Sequence, residues 1–183
     1  MILTEDIING ELQREGPEFT DRPDDRGGPT KWGVTLKTLI AFCAPQPTTV
    51  DDLKALDEDS ARAVYRHAFV EVPGFSKIAH PALEALMVDA GVQHGPEEAI
   101  KIIQRALVLK ADGILGDITL RAINTAETRS LYMFVCAARV RLYGSIIAHD
   151  KELAVAKSHG YALQADNALG WANRIGQFIE SPL

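Results

Sequence analysis

Apolar residues recur at helical spacing along most of the chain. Behind a candidate cap at Thr4, Ile7, Ile8 and Leu12 fall on one helical face. Gly16 and Pro17 predict that this helix stops near Glu15. The stretch TDRPDDRGGPTKWG, residues 20–33, keeps no period and reads as a long loop with short extended pieces. Thr35 is placed to cap a short helix through Leu39 and Phe42, broken by Pro45 and Pro47. Leu56, Ala63, Val64 and Ala68 predict a helix over about 57–70, stopped by Pro73 and Gly74. Pro81 opens a helix through Leu83, Leu86, Met87 and Ala90, and Pro96 opens another with Ala99, Ile102, Ile103 and Ala106 on one face. The run ADGILGD, residues 111–117, is turn-like. A helix follows from Asp117, the longest covers about 128–147, and Trp171, Ile175 and Phe178 mark the last.

This pattern predicts a mostly α protein. The expected organisation is an N-terminal region, residues 1–80, that carries the irregular loop, and a helical half, 81–183, packed with it as one globular unit. The length of 183 residues suits one sizeable core. Apolar residues at 46% and charged residues at 24% exclude wholesale disorder. The net charge is −6, with −5 in residues 1–80 and −1 in residues 81–183. That acidic balance argues against a nucleic-acid partner, because such binding leans on neutralised phosphates. No uninterrupted apolar run approaches the roughly 18 residues of a membrane span, so stable membrane insertion is not expected. The start, MILTEDIING, places Glu5 and Asp6 where a secretory signal wants basic residues. A cytoplasmic pool is therefore expected. No coiled-coil heptad persists, and a monomer is expected. Cys43 and Cys136 read as isolated thiols rather than a disulfide framework.

Glu15 carries the candidate chemistry. It ends an apolar-faced helix and meets a loop with Asp21, Asp24, Asp25, Thr30, Lys31 and Trp32. A helix-anchored carboxyl facing a polar loop suits acid–base work, and glycoside hydrolysis uses one carboxyl as acid beside a second carboxylate. The same acidic loop also reads as a solvated face. A Ca²⁺ site lacks EF-hand spacing, and GGPT lacks the order of a phosphate loop. His67 and His94 do not form a metal set by spacing, and neither a metal nor a cofactor is expected.

The segment REGPEFTDRPDDRGGPTKWGVT, residues 14–35, resembles the opening signature of glycoside hydrolase family 108, the phage-type N-acetylmuramidases. The match runs through Glu15, Gly16, Phe19, Pro23, Asp25, Gly27, Gly28, Thr30, Trp32, Gly33 and Thr35, with Pro17 at the family's second glycine. Residues 88–123 resemble the family's C-terminal region, often described as peptidoglycan-binding, through Asp89, Gly95, Asp112, Gly113, Gly116 and Thr119. GWANRI, residues 170–175, resembles its Gly–Trp–x–x–Arg element.

The resemblance implies a lysozyme-like helical fold and an endolysin that cuts between N-acetylmuramic acid and N-acetylglucosamine. Glu15 would be the general acid. Asp25, or its neighbour Asp24, would orient water or stabilise positive charge, and Thr30 is a further candidate to fix that water. Trp32 either stacks on a sugar or packs on a small core. Lys31 and Arg26 are candidates for peptide-stem carboxylates, and Gln93 and His94, standing where the family shows Asn–Ser, for substrate contact. Trp171 is expected to pack the last helix on the core, with Arg174 salt-bridged near the cleft. The ADGILGD loop either touches glycan or turns between helices. Peptidoglycan is the implied partner, reached in the periplasm from the host bacterial cytoplasm through a holin-like pore. The alternatives are a non-catalytic peptidoglycan-binding protein and a host muramidase that helps a secretion system pass the wall.

Overall fold

The computed structural model describes residues 4–21, 28–157 and 167–180. Helix α1, Thr4–Glu15, buries Ile7, Ile8, Glu11 and Leu12 and carries Glu5 and Asp6 in its first turn, where the helix dipole favours acidic side chains. It ends as expected. Gly16 takes a left-handed φ of 71°, and its N–H donates to the Leu12 carbonyl at 2.9 Å. The chain then forms a small antiparallel sheet of β1 (Phe19–Thr20), β2 (Thr30–Lys31) and β3 (Val34–Thr35), in that order. Thr30 pairs with Thr35, and Lys31 with Val34. Trp32 and Gly33 form the two-residue turn between β2 and β3, and both have positive φ, the pattern of a type I′ hairpin.

The Thr35 side chain caps α2, Leu36–Cys43, by accepting from the Thr38 N–H at 3.2 Å. Helix α3, Val50–Ala55, is absent from the sequence expectation. A Thr49–Asp52 capping box holds it. The single helix expected over about 57–70 is α4, Glu58–Tyr65, capped by Asp57, continued by a π-helical turn over Arg66–Glu71. A 3-10 turn at Phe75–Lys77 leads to α5, Pro81–His94.

Helix α5 is the central strut. It packs against α1, α6 (Pro96–Ala106) and α8 (Thr128–Lys157). Leu83, Leu86, Met87, Val88 and Ala90 are all buried on it, as an internal helix requires. Asp89 is buried in the same run, opposite the wholly buried Arg139 of α8. Helix α7 covers Asp117–Thr125, and α9, Ala168–Glu180, lies along α8. Apolar and aromatic contacts help to seat α9. Ile175 is buried, the Tyr132 hydroxyl donates to the Phe178 carbonyl at 2.8 Å, and Trp171 stacks on Tyr143 with centroids 4.6 Å apart.

The stretch Thr128–His149 of α8 is long and apolar enough by length and composition to cross a membrane. Its average hydropathy was hidden in the sequence because Arg129, Arg139 and Arg141 interrupt it. In the fold, its Arg139 ion-pairs with Asp89 inside the core. Both cysteines are free, Cys136 being buried.

Residues 111–117 form a turn clamped by a buried side chain. Gln104 accepts from the Gly113 N–H at 2.9 Å. Its amide nitrogen lies within hydrogen-bonding reach of Asp112 Oδ1 (2.8 Å), the Ile114 carbonyl (3.0 Å) and Thr119 Oγ1 (3.1 Å). Gly113 has φ of 77°, and a Cβ there would meet Glu97 Cγ at 2.5 Å.

Candidate active site

The left-handed turn at Gly16 leaves Glu15 as the last helical residue, with its side chain 22% exposed. Glu15 Oε1 accepts from Arg174 Nη1 at 2.7 Å and from Gln93 Nε2 at 3.3 Å. An open cleft of about 420 Å³ runs over it, lined by Arg14, Gln93, Trp171, Asn173 and Arg174, among others. Amides and charges line the cleft beside an aromatic ring, a mixture suited to a ligand rich in hydroxyl and amide groups.

Beneath the cleft lies a charged network. Arg174 Nε donates to Asp89 Oδ1 at 2.5 Å and Nη2 to Glu11 Oε2 at 2.6 Å. Asp89 also pairs with Arg139, and Glu11 with Arg14. Three carboxylates and three guanidiniums thus alternate between α1, α5, α8 and α9. Buried charges require such pairing, because each alone would carry a large desolvation penalty. Burial, and then the negative charge of Asp89, push the Glu11 carboxyl up to about 7, against the lowering pull of Arg174 and Arg14.

Gly33 closes the site from the hairpin side. A Cβ there would lie 2.3 Å from the Tyr65 hydroxyl and 2.6 Å from Glu15 Cγ. The Tyr65 hydroxyl is buried and finds no hydrogen-bond partner among the described residues. Burial, reinforced by Glu15 and Glu11, holds it neutral by raising its pKa.

The sequence candidates separate clearly in space. Glu15 and Gln93 meet in the cleft. His94 packs behind it against the Tyr143 ring, with centroids 5.0 Å apart. Burial, then Arg139, pull its imidazole down to about 4, and its Nε2 is buried without a partner among the described residues. Thr30 donates its hydroxyl to the Gly28 carbonyl at 2.9 Å. Lys31 reaches the Lys54 carbonyl of α3 at 2.5 Å. Trp32 sits half-buried at the hairpin turn, packed against the core. Asp24, Asp25 and Arg26 lie outside the described residues, and Asp21 is exposed. Sequence reasoning missed Glu11, Asp89, Arg139 and Tyr65 as neighbours of the site. One signal was readable: Asp89, set within the apolar run from Leu86 to Val92, needs a buried partner.

Among the described residues, the mostly helical frame thus holds one accessible carboxyl in the polar cleft, that of Glu15. Residues 9–95 match the family model described as Glycosyl hydrolase 108, and residues 98–176 match that described as Predicted Peptidoglycan domain. The chain thus carries a glycosyl hydrolase 108 domain joined to a peptidoglycan domain, the architecture of hydrolase-type proteins that act on peptidoglycan. Among solved structures it is similar to SagA of Brucella abortus, with a TM-score of 0.75 and 23% identity over 93% of this chain and 88% of that one. At that identity the likeness speaks for the fold. No curated protein sequence matches.

Proposed function

We propose that the chain hydrolyses the β-1,4 bond between N-acetylmuramic acid and N-acetylglucosamine, with Glu15 as general acid. The observation that carries this reading is the position of Glu15: it ends a rigid helix, opens into the polar cleft and is held by two donors. Glu15 would protonate the departing glycosidic oxygen, and a water would complete the cleavage. Asp24 or Asp25 would assist that water, with Thr30 as a further candidate. Gln93 and the Trp171 wall would orient the sugars, and Trp32, Lys31 and Arg26 are candidates for the glycan and its peptide stems.

Within this reading, the enzyme serves either as an endolysin released through a holin or as a host muramidase that helps a secretion system pass the wall. Either role brings the protein to the wall, in the periplasm. A second reading is a non-catalytic peptidoglycan-binding protein. Its support is the ion pair itself, since Arg174 occupies the carboxyl that would donate the proton.

Incubation with purified peptidoglycan separates the two. The hydrolase clears the suspension, and Glu15→Gln slows clearing by roughly 10²-fold or more while still sedimenting with the wall. Sedimentation of both proteins with no clearing by either supports the binding protein instead.

A further inference from the structure

Arg174 belongs to the segment matched as the peptidoglycan domain, yet all three of its nitrogens are bonded to carboxylates of the glycosyl hydrolase segment. Nη1 takes Glu15, Nη2 takes Glu11 and Nε takes Asp89, at 2.7, 2.6 and 2.5 Å. A planar guanidinium engaged on all sides is fixed in position and in plane. Its anchors are themselves anchored, Asp89 by the buried Arg139 and Glu11 by Arg14. Glu15 therefore meets a cation that four helices have placed.

We propose that Arg174 is a positioning residue for Glu15, through which α9 of the peptidoglycan domain completes the active site. It holds Oε1 and so fixes the position and plane of the carboxyl that exchanges the proton with substrate. The second domain is then part of the catalytic unit rather than a separate wall anchor. This inference rests on Glu15 being the reacting carboxyl.

The charge environment of Glu15 follows from every element around it. Helix α1 presents Glu11 and Arg14, α4 Tyr65, α5 Asp89 and His94, α8 Arg139 and Tyr143, and α9 Arg174. Among the described residues, Arg174 is the cation bonded to the Glu15 carboxyl. Replacing it by a neutral residue leaves the carboxylates of Glu11 and Asp89 nearby, so Glu15 should keep its proton to higher pH.

The test is ¹³C NMR titration of glutamate carboxyls in the full chain, with Glu15 assigned by the loss of its signal in Glu15→Gln. Arg174→Gln should move the Glu15 midpoint up by about one pH unit or more. Arg174→Lys keeps the charge and should move it less, while both variants lose about tenfold or more in kcat through misplacement. KM should change less than about threefold, and Arg121→Gln, on the exposed face of α7, should alter neither readout. If Arg174→Gln does not fold, the double variant Glu11→Gln/Arg174→Gln, which removes one buried carboxylate with its partner, is read in the same way. An unchanged Glu15 midpoint or an unchanged kcat overturns the role of Arg174. Absence of turnover in the wild type overturns the hydrolase reading instead, and the titration remains readable in either case.

Discussion

Gly33 lies directly against Glu15: a Cβ on Gly33 would stand 2.6 Å from Glu15 Cγ, and Gly33 holds φ of 69°. The hairpin turn therefore presses on the end of α1, and only a residue without a side chain fits between the Tyr65 hydroxyl and the glutamate. Gly33→Ala should destabilise the fold by about 2 to 4 kcal/mol, from the left-handed backbone and overpacking together. It should also displace Glu15 and lower kcat by about 10²-fold. Thermal melting and clearing rates measure the two effects, and wild-type values for both would contradict the contact.

Two buried groups should impose opposite pH slopes on stability. Glu11 is raised from 4.5 to about 7, so over that window the folded chain keeps a proton that the unfolded chain has released. Its contribution to stability falls as pH rises through the window. His94 is lowered from 6.5 to about 4, so over that span the unfolded chain holds the extra proton and stability rises with pH. The two contributions offset between 4.5 and 6.5. Relative to wild type, Glu11→Gln should steepen the rise of stability with pH in that interval, and His94→Gln should add a fall. Urea midpoints across it give the slopes, and three identical slopes would refute both assignments.

Gln104 joins α6 to the turn at residues 111–117 and to Thr119 of α7. Gln104→Leu would leave the Gly113 N–H and the Thr119 hydroxyl without this partner. The expected cost is about 2 to 4 kcal/mol, with faster amide exchange at Gly113 and Ile114. Turnover of a short soluble glycan should stay near wild type, because the turn lies outside the cleft lining. A large loss of turnover in a well-folded variant would instead favour a glycan-contacting role for that loop.

Trp32 holds φ of 54° at the first turn position, where Asn is favoured. Trp32→Asn keeps the hairpin and removes the ring. Relief of backbone strain offsets part of the lost packing, so the Tm should move by only a few degrees. If the ring stacks on sugar, KM for glycan should rise about fivefold or more, the scale of roughly 1 kcal/mol of lost contact. A large fall in Tm with unchanged KM would make Trp32 a packing residue.

Much of the helical frame was legible because proline and glycine punctuate it. Gly16–Pro17 placed the end of α1 at Glu15, Thr35 marked the start of α2, and Pro81 and Pro96 opened α5 and α6. Helix α3 escaped notice because six residues are too few to show a period. Its readable sign was the Thr49–Asp52 box. The π-turn at Arg66–Glu71 was hidden because the apolar spacing runs on through it. Helix α8 reaches Lys157, beyond the expected 147, since residues 148–157 hold neither proline nor glycine to stop it. Strands of two residues cannot display alternation, and a tryptophan at positive φ disguised the hairpin turn.

The site was legible in part. Glu15 stood out through its motif, and Arg174 through its spacing from Trp171. Their direct contact spans 159 positions, and no local pattern encodes it. Glu11 reads in sequence as an ordinary polar helix position. Its burial follows only once α5, α8 and α9 close over α1.

The most direct test of the account is mass spectrometry of the soluble fragments released from purified peptidoglycan by wild type and by Glu15→Gln. The account predicts fragments with N-acetylmuramic acid at the reducing end from wild type, and about a hundredfold fewer from the variant. Fragments ending in N-acetylglucosamine, equal release by both proteins, or intact glycan with both would contradict it.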